Sequence, residues 1–133
     1  VWMINCENEV YTKIVEVLKT KFEKINISNK YISTPSSFPH VSIIQSDNSV
    51  ITNYTTTVSE MAQVMFEVNI YSNKTFDNKE ECEHIAKLID NVLFFMNFRR
   101  MTMSPVPNME DTKIYRIVAR YRTATDGNYF YRR

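Results

Sequence analysis

The stretch VMFEVNIYS, residues 64–72, has the clearest regular pattern in this chain. Apolar residues occupy the even positions from Val64 to Ile70, and polar residues such as Glu67 and Asn69 lie between them. Successive side chains of an extended strand point to opposite faces. The alternation therefore predicts a β-strand whose even positions face a core.

A second alternating stretch spans residues 113–123. One face of this predicted strand is core-like and carries Tyr115, Ile117, Ala119 and Tyr121. The other face carries three arginines beside two apolar residues, namely Arg116, Arg120 and Arg122 with Ile114 and Val118. We therefore expect a core strand that presents a cationic second face.

Shorter segments complete the predicted sheet. Residues 26–32, 40–45 and 101–104 are each predicted to form a short strand. Pro105 and Pro107 follow the last of these, and proline cannot donate a hydrogen bond to a neighbouring strand, which favours an edge position or a loop. Residues 46–59 are rich in Ser, Thr and Asn without a clear period, so we expect a long loop or a loosely extended hairpin end.

Two segments show helical spacing. In residues 7–22 the apolar positions are Val10, Ile14, Val17, Leu18 and Phe22. In the second segment they are Cys82, Ile85, Ala86, Ile89, Val92, Leu93 and Met96. Asn78 followed by Glu81 resembles a capping box that would open this second helix. Both segments are predicted to be amphipathic helices that pack on the sheet.

Together these elements predict an α+β fold with a mostly antiparallel sheet of four to five strands and two helices packed on one face. The length of 133 residues fits one domain, residues 1–133, with residues 124–133 as a candidate partner-docking tail.

Composition excludes several function classes. The formal net charge of +1 does not support a surface built throughout for nucleic acid or an anionic membrane. The longest apolar run, residues 92–96, is far below the roughly 20 residues of a membrane-spanning helix, and we expect a soluble protein that is not secreted. A single glycine, Gly127, excludes glycine-rich phosphate loops and the nucleophile elbow.

No group of residues predicts catalysis or metal binding. His40, His84, Cys6 and Cys82 lack the spacing of metal ligands. The two cysteines are expected to be free thiols. The acidic residues Glu80, Glu81 and Glu83 lie in the first turns of a predicted helix, where negative charge is favoured by the helix dipole. We therefore predict no metal, no cofactor and no enzymatic activity.

The C-terminal stretch YRTATDGNYFYRR, residues 121–133, concentrates arginines and aromatic residues. Both types are enriched at protein interfaces. The hypothesis is a subunit interface formed by Arg116, Arg120, Arg122, Tyr129, Phe130, Tyr131, Arg132 and Arg133. Alternatively, Asp126 and Gly127 form a tight turn that folds the aromatic residues back along the preceding strand, which would cover one aromatic face.

The order of these features resembles the tail-terminator and tail-completion, or head-tail joining, proteins of long-tailed phages and tail-like particles. The resemblance spans about residues 7–122. It is carried by a first helix, a Phe-Pro-His-Val strand, a long polar loop, VMFEVNIYSN, a long helix ending FFMNFRR, and a Pro-Asn-x-x-Asp turn before YRIVARYR.

The resemblance implies a structural function without catalysis. Such subunits form a ring, usually a hexamer, that caps the tail tube, ends its elongation and joins it to the head or neck. The implied partners are further copies of this chain, the tube protein and a head or neck connector, with no membrane, and nucleic acid only as DNA passing through the ring. The implied location is a virion or tail-like particle assembled in the bacterial cytoplasm.

Two candidate contacts and two other functions stay open at this point. The terminal aromatic residues are hypothesised to dock on an adjacent subunit or on the tube, and residues 46–59 are a second candidate contact. A nucleic-acid-binding module using the C-terminal Arg and aromatic face is the alternative function, because bases stack on aromatic rings while arginines bind phosphates. A small enzyme with a site built from scattered residues is a third reading.

Overall fold

A computed structural model describes residues 5–32, 35–53, 60–107, 113–126 and 129–131, with the backbone alone for residues 51–53 and 60. The chain forms two helices and six strands in the described part. Their order is α1 (Glu7–Lys21), β1 (Asn26–Ser28), β2 (His40–Asn53), β3 (Glu60–Ser72), α2 (Asn78–Phe95), β4 (Arg99–Pro105), β5 (Tyr115–Thr125) and β6 (Phe130–Tyr131).

The strands form one sheet in the order β1-β2-β3-β5-β4, with β6 also paired to β5. Only the short β1–β2 pair is parallel among the described pairs, and the others are antiparallel. Because β5 pairs with β3 along the whole length of β5, strands β4 and β6 share the other edge of β5. The α+β prediction is confirmed, although the sheet has six strands instead of four to five.

The core lies between the two helices and one face of the sheet. On β3, Val64, Phe66, Val68 and Ile70 are fully buried, as their alternation predicted. The helices contribute Val10, Ile14, Leu18, Cys82, Ile85, Ala86, Ile89 and Leu93 to the same cluster. Burying apolar area stabilises the fold by roughly 25 cal/mol per Å², so this layer contributes directly to stability.

The start of α2 differs from the predicted capping box. The helix begins at Asn78, its N-cap position is Asp77, and no side chain caps it. The Glu81 carboxylate instead accepts a hydrogen bond from Ser72 Oγ at 2.6 Å and pairs with Lys74 Nζ at 2.9 Å. The capping-box prediction is wrong because this carboxylate ties the helix to the end of β3.

Strand β2 is much longer than predicted. It runs to Asn53, so residues 46–53 follow the extended-hairpin alternative and not the loop, and residues 54–59 lie outside the described part. Backbone pairing with β3 continues through two irregularities, between Gln45 and Asp47 and between Val50 and Thr52. Polar side chains with no buried face give no alternation, so the pattern did not reveal this strand.

The chain after β1 leaves the sheet edge and crosses the face opposite the helices, which we call the outer face. The Lys30 carbonyl accepts hydrogen bonds from Ser42 Oγ and Ser28 Oγ at 2.5 and 3.0 Å. Strand β1 is therefore shorter than the predicted 26–32. Ser42, Asn69 and Tyr71 are fully buried on the outer face.

Within the described residues, no helix is both long and apolar enough to cross a membrane.

Candidate functional site

The predicted arginine face exists, and it lies on the outer face. Register pairs Arg116 with Tyr71, Arg120 with Glu67 and Arg122 with Met65. Cross-strand partners share a face of the sheet, so the three arginines form a row on the side away from the helices. They differ in how many of their N–H donors already make hydrogen bonds within the chain.

Arg120 pairs with a carboxylate of the same sheet. Its Nη2 and Nε lie 2.9 and 3.1 Å from Glu67 Oε1. The other oxygen of Glu67 accepts a hydrogen bond from Asn69 Nδ2 at 3.1 Å. The Arg120 side chain is 50% exposed. The partner of Arg120 is thus Glu67 on the neighbouring strand β3.

Arg116 is bound inside the chain. Its Nε and Nη2 donate to Asn69 Oδ1 at 3.0 and 2.7 Å. The guanidinium carbon also lies 5.6 Å from the Tyr31 ring centroid and 5.7 Å from that of Tyr71. Such cation–π contacts are worth about 0.5–2 kcal/mol each. Arg116 therefore fastens the crossing segment at Tyr31 to the sheet.

Tyr71 lies deep in the same cluster. Its hydroxyl is buried and has no hydrogen-bond partner among the described residues. Burial raises the pKa of Tyr71 to about 12, and the nearby Arg116 partly opposes this shift. The hydroxyl is neutral at physiological pH, so Tyr71 does not form an ion pair with Arg116.

Arg122 has an unused donor. Its Nε is buried without a hydrogen-bond partner in the described part of the chain. Its strand neighbours on the outer face are Met65 and Arg99, neither of which can accept from a guanidinium in the way a carboxylate does. Of the three predicted arginines, this is the one with a buried side-chain donor that has no partner in the described part of the chain.

The terminal aromatic residues fold back onto the sheet. Strand β6 pairs with β5, placing Tyr131 opposite Ala124 and Phe130 opposite Thr125. Phe130 packs against the core, with its ring centroid 5.5 Å from that of Phe98. The predicted fold-back is therefore present, and it removes Phe130 from the set of free surface residues.

Tyr129 and Tyr131, the terminal tyrosine pair, remain on the surface. Their side chains are 67% and 44% exposed, and their ring centroids lie 6.5 Å apart. The Tyr131 hydroxyl donates to Asp126 Oδ2 at 3.0 Å. Gly127, Arg132 and Arg133 lie outside the described residues, so the predicted turn and the two terminal arginines have no structural account.

Side-chain hydrogen bonds hold the short β6 in place. Asn97 Nδ2 donates to the Phe130 carbonyl at 3.0 Å, and Thr125 Oγ1 donates to the Tyr129 carbonyl at 2.8 Å. Thr123 Oγ1 lies 2.8 Å from the Asn97 carbonyl and 3.1 Å from the Tyr131 carbonyl. The tyrosine pair is thus presented from a fixed backbone.

Sequence reasoning missed two exposed aromatic residues at the end of α2. Phe94 and Phe95 are 53% and 82% exposed, and their rings make an edge-to-face contact. Asn97 ends the helix with a φ of 66°, and the Phe98 amide donates back to the Leu93 carbonyl at 2.8 Å. Phe94 and Phe95 lie off the apolar stripe that includes Val92, Leu93 and Met96. That position in the sequence could have indicated that the two rings are exposed.

A groove between α2 and β4 was not predicted either. It has a volume of about 420 Å³ and is lined by Ala86, Met103, Glu83, Lys87, Asp90, Asn91 and Arg100. The Asp90 Oδ1 atom accepts from Tyr121 Oη at 3.0 Å and lies 3.3 Å from Arg100 Nη1. Burial and the Asp90 carboxylate raise the pKa of Tyr121.

The four residues considered as metal ligands have other surroundings. His40 Nε2 lies 3.1 Å from Ser28 Oγ, and the His84 ring packs against Phe22 with centroids 5.5 Å apart. Burial raises the pKa of Cys6 to about 11 and that of Cys82 to about 12. The described residues contain no group of three or more His, Cys, Asp or Glu side chains able to bind a metal.

Comparison with known proteins gives one kind of match. No protein-family model matches the chain, and no curated protein does. Among solved structures, the chain is similar to a chain in the virion of a native gene transfer agent particle, with a TM-score of 0.60 and 14% sequence identity. The likeness covers 85% of this chain and 88% of that chain. It shows a shared fold over nearly the whole of both chains.

Proposed function

We propose that this chain is a structural subunit of a phage-like particle. In this proposal, copies of the chain form a ring, with six subunits, that caps the tail tube, ends its elongation and joins it to the head or neck. The observation that carries it is the fold shared with a chain of a virion particle. The resemblance of the sequence to tail-terminator and tail-completion proteins points to the same role.

The surface supports a function by contact. The terminal tyrosine pair and the Phe94–Phe95 pair expose aromatic area where β5, β6 and α2 end. Aromatic residues are enriched at interfaces because they bury large areas at a low cost in side-chain entropy. The hydrogen bonds that fix β6 lower this cost further, since the contact is ordered before association.

The proposed partners are further copies of this chain, the tail tube protein and a head or neck connector. Nucleic acid enters only as DNA that passes through the ring, and the place of assembly is the bacterial cytoplasm. The proposed role needs no catalysis and no cofactor. A nucleic-acid platform is supported less well, because Arg116 and Arg120 already donate to Asn69 and Glu67.

Light scattering over a wide concentration range, with and without a tail tube subunit, tests the proposal. A discrete ring, alone or only with the tube subunit, is the expected result. A monomer at all concentrations that ignores the tube subunit would overturn it. In that case, DNA affinity that falls steeply with salt would favour the nucleic-acid alternative.

A further inference from the structure

The crossing segment, residues 29–32, covers part of the outer face with little apolar contact. Three of its four side chains are exposed, including that of Tyr31 at 54%. Its attachment to the sheet is polar, because the Lys30 carbonyl accepts a hydrogen bond from Ser42 Oγ and the Tyr31 ring contacts the Arg116 guanidinium. Burial of apolar area is the dominant favourable term in folding, so this segment is bound less strongly than the two helices.

The layer beneath the crossing segment is polar, and one of its groups has no partner. Ser42 and Asn69 lie opposite each other on the outer face and are fully buried. Tyr71 lies beside them, with its ring centroid 5.7 Å from the guanidinium carbon that also contacts Tyr31. The buried Tyr71 hydroxyl has no hydrogen-bond partner among the described residues. Burial removes its hydrogen bond to water and gives none in return, which disfavours the closed arrangement.

We propose that the crossing segment is a strap that opens while the rest of the fold stays intact. Opening lets water reach the Tyr71 hydroxyl and the side chains of Ser42 and Asn69. It exposes little apolar surface, because the apolar core lies between the helices and the other face of the sheet. Segments with few buried apolar contacts open at a free energy below that of global unfolding.

Opening changes the surface that the outer face presents. In the closed state Arg116 contacts Tyr31, and the side chains of Ser42 and Asn69 are inaccessible. In the open state these groups join the half-exposed Arg120 in one wider polar surface. A partner that binds this surface would shift the equilibrium toward the open state. The crossing segment thus controls access to the outer face.

Thiol labelling measures the opening directly. Ser42→Cys places a thiol beneath the crossing segment, at a position with no exposed surface. The native Cys82 is buried in the helix-side core and reports opening of the core in the same sample. With iodoacetamide and peptide mapping by mass spectrometry, position 42 should be labelled about tenfold faster than Cys82, or more. Equal rates would mean that the segment opens only with the whole fold, which overturns the inference.

Two tyrosine hydroxyls provide a matched comparison in the Ser42→Cys background. Tyr71→Phe should slow labelling at position 42 about tenfold, because the closed state no longer buries a hydroxyl without a partner. Tyr11→Phe removes a hydroxyl that donates to the Ile27 carbonyl at 3.0 Å, so labelling should stay the same or become faster. If Tyr71→Phe leaves the rate unchanged or raises it, the unpaired hydroxyl does not favour opening and the inference fails.

Trypsin cleavage after Lys30 is a second measurement, made on the unmodified chain. The carbonyl of this peptide bond is the group that accepts from Ser42 and Ser28, so the protease can attack it only when the segment opens. The cleavage rate should depend weakly on urea, since opening exposes little surface. A urea dependence equal to that of global unfolding, measured by circular dichroism, would overturn the inference even if Ser42→Cys failed to fold. Neither measurement involves assembly, so this inference does not depend on the proposed function.

Discussion

Arg116 donates two hydrogen bonds to the Asn69 side-chain oxygen, and through Asn69 it is linked to Glu67 and Arg120. This chain of contacts crosses β3 and β5 on the outer face. Asn69 is fully buried, so its amide depends on these two charged neighbours for its hydrogen bonds.

Replacing Arg116 tests whether this network stabilises the fold. Arg116→Ala should lower the free energy of unfolding by about 2–3 kcal/mol, because it leaves a buried amide oxygen without its charged donor. Arg116→Lys should recover little of this stability. A single ammonium cannot reproduce both the paired hydrogen bonds to Asn69 and the contacts of the planar guanidinium with the two tyrosine rings. Urea unfolding measures both. Arg120→Ala, at a half-exposed ion pair, should cost less than about 1 kcal/mol; equal losses for Arg116→Ala and Arg120→Ala would contradict the assignment.

Substitutions at two adjacent residues, Tyr129 and Phe130, should separate effects on stability from effects on assembly. Phe130→Ala should destabilise the monomer by about 2 kcal/mol, because its ring packs on Phe98 and the core. Tyr129→Ser should change stability by less than about 0.5 kcal/mol, since its side chain is mostly exposed, yet weaken assembly. Thermal unfolding and light scattering on the same samples check the separation. A large stability loss from Tyr129→Ser would show that the tyrosine serves its own fold.

Asn97 has two structural roles that substitution can divide. Asn97→Ala should cost about 1–2 kcal/mol, because alanine is disfavoured at a φ of 66° and the bond to the Phe130 carbonyl is lost. Asn97→Gly should recover the backbone part alone. Chemical denaturation gives the two values. Identical losses would mean that the left-handed backbone carries no cost.

His40 should make stability depend on pH. Burial lowers its pKa below the ordinary value of about 6.5, so the unfolded chain binds the proton more readily. This contribution is complete above about pH 6.5 and is lost as the pH falls below it. Urea unfolding of the unmodified chain and His40→Gln should therefore converge at acidic pH. Parallel curves between pH 5 and 7.5 would rule out a role for His40.

The two thiols should be inert in the folded chain. Burial raises the pKa of both Cys6 and Cys82, and the thiolate is the reactive form. Ellman's reagent at pH 8 should react slowly with the native protein and fully after denaturation. Fast reaction of one thiol before unfolding would show local opening around it.

Alternation and helical spacing predicted the parts of the fold that bury one face. The spacing of residues such as Phe66 on β3 and Ile89 on α2 predicted these elements, because a buried face requires apolar side chains at the period of the strand or helix. The far half of β2 gave no such signal, since Asp47 to Ser49 pair with β3 through the backbone while their polar side chains include no buried face. Periodicity also missed the crossing segment at Tyr31, whose position depends on long-range contacts with Ser42 and Arg116.

The sequence indicated which residue types form the candidate surface, but it did not indicate which of the individual residues are exposed. Tyr129 and Tyr131 are exposed as the interface hypothesis requires, whereas Phe130 is partly buried and packs against the core. A run of three aromatic residues does not reveal which ring faces inward until the register with β5 is known. The α2–β4 groove joins Lys87 to Met103 across two elements, so no local sequence pattern could indicate it.

The irregular pairing of β2 has a consequence for how the free subunit behaves at high concentration. Strand β1 covers only His40 to Ser42, so the remaining outer edge of β2 has no strand partner within the described residues. An open edge of this length invites strand addition by other chains and growth of fibrils. The two breaks in register, after Gln45 and after Val50, disturb the even spacing of donors and acceptors that a fibril needs. These bulges should therefore protect a pool of unassembled subunits from amyloid-like aggregation.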